Sequence, residues 1–210
     1  MRKFAFAACM LAGMAFAETT PVMVSLVTPV QAPSRSYDVT GFRLSLIYGD
    51  CRDFTGLDIG VADRTAGEFT GLVLGGVNIA DGRFRGGQLG LVNWNSHDDA
   101  RWERRSVGAQ VGILNYSNAF CGLQDGVVNV SESFAGLQSS LVNFAQDMYG
   151  VQCGYYFIFG INVAGGAMRG CQLGLVNYAN TMEEGIQIGL VNIISRNGWL
   201  PVLPIVNGHF

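Results

Sequence analysis

The sequence contains little positive charge. Lys3 is the only lysine, and charged residues make up 14% of the 210 residues, with a formal net charge of −3. Proteins that bind nucleic acid or anionic membrane surfaces carry long basic runs, and this chain has none. With 49% hydrophobic residues, the chain is also too apolar to stay disordered. We therefore exclude nucleic acid as a partner and expect a folded core.

Proline is absent from the whole middle of the chain. The five prolines lie before residue 38 or after residue 197, at Pro21, Pro29, Pro33, Pro201 and Pro204. Because proline removes a backbone donor, a long stretch without it suits a stack of strands in which every N–H is bonded. We accordingly divide residues 18–210 into an extended lead-in at 18–37, a β-repeat domain at 38–197 and a C-terminal cap at 198–210.

Histidine is also scarce. His97 and His209 are the only histidines, and neither belongs to the close array of ligands that zinc requires. No serine lies in a G-x-S-x-G motif, and the glycines lack the strand-to-helix context of a phosphate-binding loop. We therefore predict no metal, no cofactor, no catalytic residues and no enzymatic activity.

Four cysteines follow the first seventeen residues, and their pairing is open. They are Cys51, Cys121, Cys153 and Cys171, with unequal spacings and no C-x-x-C arrangement. Cys153 and Cys171 are predicted to lie on the same face of neighbouring repeats. There they would either form a disulfide in an oxidising compartment or pack as two small hydrophobic residues.

The N-terminus predicts export. Residues 1–3 carry two basic side chains and precede the apolar run Phe4–Phe16, which ends in the small-residue pattern Ala15-Phe16-Ala17. This order is typical of a secretory signal peptide, here at 1–17. Its removal leaves eleven arginines against sixteen acidic residues, a net charge of about −5. We expect an exported protein of the outer membrane or cell surface, with the periplasm as an alternative.

The dominant feature of the sequence is an octapeptide that recurs along it. Gly170–Asn177 reads GCQLGLVN, and Gly185–Asn192 reads GIQIGLVN fifteen residues later. Other copies with the consensus G-x-Q-x-G-L-V-N begin at Gly86, Gly108, Gly122 and Gly136, weaker ones at Gly41, Gly56 and Gly71, and a longer one at Gly150. Recurrence at a near-constant interval is the signature of a repeat architecture with one structural turn per copy.

Residues alternate within each copy with the period of a strand. In Gly185–Ile194 one face carries Ile186, Ile188, Leu190, Asn192 and Ile194, and the other carries Gly185, Gln187, Gly189, Val191 and Ile193. We expect the first, aliphatic face to form the core, which would make Asp125 an isolated carboxylate at an inward position. A face of glycine and glutamine buries little apolar area, so we expect it to meet water or to lie under another backbone.

The asparagine that closes each copy recurs with a regular spacing. The series starts at Asp63 and ends at Asn207, with intervals of 14 or 15 residues except for 22 and 19 at two insertions. If the copies stack in parallel register, each side-chain amide can hydrogen-bond to the next one. The predicted ladder consists of Asn78, Asn93, Asn115, Asn129, Asn143, Asn162, Asn177 and Asn192.

Two all-β architectures satisfy this repeat. In a β-solenoid each 14–15-residue copy forms one coil, and the strands stack in parallel about 4.8 Å apart in a rod roughly 50 Å long. In an antiparallel up-and-down β-barrel each copy is one strand, and the protein would be a small outer-membrane pore or membrane anchor. The near-equal connections, together with Pro201 and Pro204 near the C-terminus, favour the solenoid.

The tandem octapeptides, the signal peptide and the ending Gly198-Trp199-Leu200-Pro201 through Asn207 resemble a family of uncharacterised bacterial surface-repeat proteins. The resemblance covers nearly all of the mature chain. The sequence departs from the family pattern at Asp125, at Ser139-Ser140 and in the two insertions. The resemblance implies an exported repeat protein of the cell envelope with no established catalytic activity, so it supplies no catalytic residues.

Surface recognition is the remaining functional expectation. The candidate binding residues are those of the first insertion, Trp94, Arg101, Trp102, Arg104 and Arg105, and the aromatic residues that follow later asparagines, Tyr116, Phe144 and Tyr178. Tryptophan, tyrosine and arginine are common in binding hot spots, and an aromatic stripe can stack on sugars. The partner would be a cell-surface glycan or a protein, unless the rings only cover a glycine-rich sheet. We expect a structural or binding role without catalysis.

Overall fold

The chain folds as a stack of β-coils. The computed structural model describes residues 18–99, 101–156 and 159–210, and the predicted signal peptide lies outside them. The strands in these ranges are β1 (Thr19–Val27), β2 (Val30–Ala32), β3 (Asp38–Cys51), β4 (Phe54–Thr65), β5 (Phe69–Ala80), β6 (Phe84–Leu89), β7 (Val92–Asn95), β8 (Ser106–Ser140), β9 (Val142–Gly154), β10 (Ile161–Leu173), β11 (Val176–Arg196) and β12 (Val202–His209). A single-turn 3₁₀ helix at Trp102–Arg104 lies in the first insertion.

Neighbouring coils pair in parallel, with equivalent residues of the repeat side by side. Gly41, Gly56 and Gly71 are paired across β3, β4 and β5, and Asn162 pairs with Asn177 across β10 and β11. The strands form one sheet that extends from β2 to β12 and makes about 11 turns. The chain is therefore a β-solenoid, as predicted. The alternative of an antiparallel barrel is wrong, because equivalent strands run in the same direction.

Antiparallel strands close the stack at both ends. β2 pairs with β1, and β12 pairs with β11. In β12, Asn207 lies opposite Gln187 and not beside Asn192. The sequence spacing suggested that Asn207 ends the asparagine series, and this is wrong because β12 runs in the reverse direction.

The first glycine of each octapeptide is required by the close approach of two coils. These ten glycines have φ between 127° and 149°, a region that residues with a side chain rarely adopt. A Cβ atom at Gly122 would also meet the carbonyl oxygen of Gly108 in the preceding coil. The consensus glycine therefore allows neighbouring backbones to pack without steric overlap.

The inward and outward faces of the octapeptide are the reverse of those expected. Gln187 and Asn192 are completely buried, whereas Ile188 and Leu190 are 43% and 65% exposed. Strict alternation is interrupted between Leu190 and Asn192, because both Gln187 and Asn192, five residues apart, face the interior. The prediction that the aliphatic face forms the core is therefore wrong. Asp125, predicted inward on the same pattern, occupies an outward position beside the buried Gln124.

The apolar core is a narrow column beside these amides. Five phenylalanines stack face to face with ring centroids 5.1–6.2 Å apart: Phe54, Phe69, Phe84, Phe120 and Phe134. In later coils the column continues with fully buried methionines, at Met148, Met168 and Met182. One large side chain per coil therefore supplies much of the apolar packing, and the polar columns fill the rest of the interior.

The four cysteines within the described residues, Cys51, Cys121, Cys153 and Cys171, are free thiols. Cys153 is in register with Leu173, and Cys171 is in register with Val151, so the two cysteines occupy different positions of the repeat. Of the two open alternatives, this arrangement corresponds to separate small side chains and not to a disulfide between coils.

Candidate binding surface

The asparagines form one continuous hydrogen-bonded column inside the solenoid. The Nδ2 atom of each asparagine donates to the Oδ1 atom of the asparagine in the next coil, at 2.8–3.0 Å. The column joins Asn78, Asn93, Asn115, Asn129, Asn143, Asn162, Asn177 and Asn192. The second Nδ2 hydrogen bonds to a backbone carbonyl, as from Asn115 to Asp125 at 2.9 Å. An amide that both donates and accepts can be buried in this way at little cost.

The glutamines form a second column, which runs in the opposite sense. Here Nε2 donates to Oε1 of the glutamine in the preceding coil, at 2.7–2.9 Å. This column joins Gln88, Gln110, Gln124, Gln138, Gln152, Gln172 and Gln187. The prediction that these glutamines lie on a non-core face is wrong, because they are buried. Their recurrence in every copy from Gly86 onward was the available signal that they stack.

In the first coils the same two positions carry charged residues. Arg43 and Asp58 take the glutamine position and Asp63 the asparagine position. Arg43 Nε donates to Asp58 Oδ1 at 2.8 Å, Nη2 donates to Asp58 Oδ2, and Nη1 donates to the Arg64 carbonyl at 2.9 Å. Asp63 Oδ1 lies 3.6 Å from Arg43 Nε. We refer to Arg43, Asp58 and Asp63 as the charged cluster.

The charged cluster is sealed from solvent. Its three side chains are at most 1% exposed, and the space between them and Asn78 has no room for a water molecule. Burial, and next the neighbouring Asp58 carboxylate, raise the pKa of Asp63 to about 7. A substrate has no access to these groups, so we interpret the cluster as part of the core.

The outer surface of the octapeptides is aliphatic along the rod. We call it the aliphatic face and define it by side chains that are 37–65% exposed and lie beside the fifth position of a copy, which is glycine in most copies and serine at Ser45 and Ser140, together with Ile47 and the equivalent Val24 of β1. They are Val24, Leu46, Ile47, Ile59, Val61, Leu89, Leu91, Ile113, Val127, Leu141, Leu175, Ile188 and Leu190. Among the described copies, Asp125 is the only charged residue at these outward positions. Soluble monomers rarely expose a continuous apolar surface of this extent.

Apart from the charged cluster and Asp125, the charged residues lie outside the octapeptides. Ion pairs connect Arg52 to Asp38, Arg64 to Asp81, and Arg169 to Glu183, with closest N–O distances of 2.5–2.6 Å. These residues occupy the segments that link one octapeptide to the next. The rod is therefore two-sided, with an aliphatic face on one side and paired charges on the other.

The second insertion projects from the aliphatic face. Tyr155–Phe159 lies between Gly154 and Gly160, at the point where other coils continue directly from the fifth to the sixth residue of the octapeptide. Tyr156 is 87% exposed and Phe159 is 60% exposed. The Tyr155 hydroxyl donates to the Gly126 carbonyl at 2.6 Å, which ties the base of the loop to the stack. We call Tyr155, Tyr156 and Phe159 the aromatic loop; residues 157 and 158 lie outside the described residues.

The predicted aromatic stripe is interrupted. Trp94 and Tyr116 are in register and stack with centroids 4.0 Å apart. Phe144 lies between Val130 and Val163 in the neighbouring coils, and Val163 separates it from Tyr178. Trp94 is exposed, whereas the other three rings are half-buried. The structure therefore brings together one aromatic pair and leaves the other two rings isolated.

The arginines of the first insertion have different surroundings. Arg101 and Arg104 are exposed, and both approach Asp99, whose pKa the adjacent Arg101 lowers below its usual range. Arg105 is buried and donates to Ser133 Oγ at 2.7 Å, so it is not a surface residue as predicted. The Trp102 side chain is outside the described part of the structure.

An open cleft lies beside this insertion. It has a volume of about 400 Å³ and is lined by Glu68, Arg83, His97, Asp99 and Arg104. His97 Nε2 is 2.9 Å from the Arg104 carbonyl oxygen, which fixes the ring at the edge of the cleft. The cleft is polar and shallow, and of the predicted binding residues it includes only Arg104.

Comparisons with protein-family models, with curated proteins and with solved structures found no match to this chain. Across residues 18–99, 101–156 and 159–210, no helix has the length and apolar character needed to cross a membrane. In the same part of the chain, no group of three or more histidine, cysteine, aspartate or glutamate residues is placed to hold a metal ion.

Proposed function

We propose that this chain is an exported, non-catalytic protein of the cell envelope, at the outer membrane or cell surface, which acts as a rigid structural or binding rod. The observation that carries the proposal is the two-sided surface. An aliphatic face extends along the coils, and paired charges occupy the connections. A surface that is constant along a rod suits contact with an extended partner better than capture of one small molecule.

The interior supports this proposal because it resists bending. Two amide columns and the ring stack run through most coils, so each coil is bonded to its neighbours by side chains as well as by backbone. Stacked amides lose these bonds if the coils separate or rotate. The buried titratable residues of the charged cluster take part in packing, and we assign them no reaction.

The resemblance to bacterial surface-repeat proteins, together with the sequence of residues 1–17, supports the location. The Trp94–Tyr116 pair and the cleft at Arg104 are the places where a cell-surface glycan or protein would bind, because the exposed Trp94 ring and the exposed Arg104 guanidinium, whose contact with Asp99 is 3.7 Å long, are suited to such contacts. Substitution of Trp94 and Arg104 by alanine should then weaken the binding of such a partner.

Export can be tested directly with the full chain. We expect that expression with a C-terminal tag in a Gram-negative host yields a protein that begins at Glu18 and lies in the envelope fraction. The matched control is Ala17→Arg, which should block processing at that position and leave an unprocessed chain. A wild-type chain that keeps Met1 and is found in the cytoplasm would contradict the proposal.

A further inference from the structure

We propose that the aliphatic face, together with the aromatic loop, docks on a lipid bilayer whose headgroups carry no net charge. This inference deepens the proposed function and rests on it, because an envelope protein is positioned to meet a lipid surface. The docking would be peripheral: the rod would lie along the bilayer and place its exposed leucine, isoleucine and valine side chains at the boundary between headgroups and acyl chains.

The first argument is the chemical uniformity of the face. Leu91, Ile113 and Leu190 are each more than half exposed, and they recur at one repeat position in different coils. The face offers a bilayer a row of aliphatic side chains that is interrupted at Asp125 and Ser139. Transfer of these side chains out of water is favourable in proportion to the apolar area that is buried. The outward carboxylate at Asp125 is only partly exposed and lies where Tyr155 bonds to the neighbouring Gly126 carbonyl.

The second argument is the order of side chains across the rod. One position beyond the closing asparagine lie Trp94, Tyr116, Phe144 and Tyr178 in four coils, whereas Ile79, Val130, Val163 and Ile193 take this position in others. The charged connections come next, with ion pairs such as Arg64–Asp81. Aliphatic, then tryptophan and tyrosine, then charged is the order of residues across a membrane–water interface, where the amphipathic rings lie at the headgroup level.

The third argument is the aromatic loop, which favours a bilayer over a second copy of the chain. In a dimer, the aliphatic faces of two copies would have to pack against each other with the aromatic loop between them. In this loop Tyr156 is 87% exposed and Phe159 is 60% exposed. The same aliphatic side chains also repeat in every coil, so they specify no single register between two rods. A bilayer needs no register, and its acyl region can accommodate projecting rings.

The charge of the chain selects the type of lipid. The mature chain has a net charge of about −5 and no lysine, and no arginine occupies the outward positions that define the aliphatic face. Attraction to anionic lipids requires basic residues near the surface. Binding should therefore depend on apolar burial, with little response to salt and no gain from anionic headgroups.

The experiment is co-sedimentation of the mature chain, without residues 1–17, with vesicles of phosphatidylcholine alone and with vesicles containing phosphatidylglycerol. We expect binding to phosphatidylcholine that changes less than about twofold between low and high salt and does not increase with phosphatidylglycerol. The face variant Leu91→Thr/Ile113→Thr should reduce the partition coefficient about tenfold, because threonine keeps the strand propensity but removes apolar area. Tyr156→Ser should reduce it severalfold.

The matched control is Val107→Thr/Val202→Thr, which alters two exposed valines outside the aliphatic face and should leave binding within about twofold. Circular dichroism of each variant confirms that it folds. The inference is overturned if the wild type binds only anionic vesicles or none. It is also overturned if light scattering shows a dimer that the face variant converts to a monomer. Vesicle binding is measured without export, so a failure of lipid docking and a failure of the proposed export are distinguished by separate experiments.

Discussion

The interior of the first coils and the interior of the later coils use the same two positions of the repeat for different chemistry. In β3 and β4 these positions hold Arg43, Asp58 and Asp63, whereas from Gln88 and Asn78 onward they hold uncharged amides. An amide has both donors and acceptors, so one amide can follow another without limit. A guanidinium only donates hydrogen bonds and an ionised carboxylate only accepts them, so neither can continue as a column of identical side chains. The charged residues therefore occupy only two coils.

The boundary between these regions is visible in the structure. Val73 follows Asp58 at the glutamine position and separates the charged cluster from Gln88. At the asparagine position no such spacer exists, and Asp63 lies directly beside Asn78. The Asn78 Oδ1 atom and both Asp63 carboxylate oxygens are buried without a hydrogen-bond partner within the described part of the chain. The junction of the two regions is thus less well satisfied than either region itself.

The largest expected effect comes from removing the only cation of the charged cluster. Arg43→Met should lower the free energy of unfolding by about 3–5 kcal/mol, because it leaves two buried carboxylates without a counter-ion. Urea unfolding followed by circular dichroism measures the change. In the control Arg52→Met, a partly exposed ion pair with Asp38 is lost, and stability should hardly change. Equal midpoints for Arg43→Met and wild type would show that the cluster is not held by Arg43.

A smaller effect is expected when a charge is introduced into the amide region. Asn129→Asp keeps the shape but removes the donor that reaches Asn143 Oδ1 at 3.0 Å and the Ser139 carbonyl at 3.1 Å. We expect a loss of about 2–4 kcal/mol at pH 8. The loss should shrink at pH 4, because a buried carboxyl is then neutral and can donate one bond. Asn180→Asp, outside the column, is the control, and a similar loss there would argue against a special role for the column.

The smallest effect is expected at the junction, and its sign is opposite. Asp63→Asn extends the amide column by one coil and should stabilise the protein by about 1–2 kcal/mol at pH 8.5. In the wild type the pKa of Asp63 is raised from 3.8 to about 7, so its favourable contribution is complete below pH 3.8 and is lost as the pH rises through about 7. The advantage of the variant should therefore disappear towards pH 4. Urea midpoints of both proteins between pH 4 and 8.5 provide the test, and a difference independent of pH would refute this assignment.

Much of the candidate site could be read from residue recurrence. The asparagine positions follow from spacing alone. The predicted aromatic stripe holds only for Trp94 and Tyr116, because Val130 and Val163 occupy the same repeat position in the coils beside Phe144. The burial of Arg105 could not be predicted, because it depends on Ser133 in a coil two turns further along. The charged cluster is also signalled in the sequence, because Arg43 and Asp58 replace the consensus glutamine of the weaker copies.

The sequence by itself determined the repeat and favoured the stack. A motif that recurs every 14 or 15 residues sets the length of one coil and the positions of the recurring asparagines, and the near-equal connections favour a solenoid over an antiparallel barrel. The parallel register was decided by the tertiary structure. Only the tertiary structure decided which face lies inside. The octapeptide does not alternate strictly over its whole length, and buried amides that satisfy one another cost little free energy. Glutamine and asparagine could therefore take the interior and leave leucine and isoleucine on the surface.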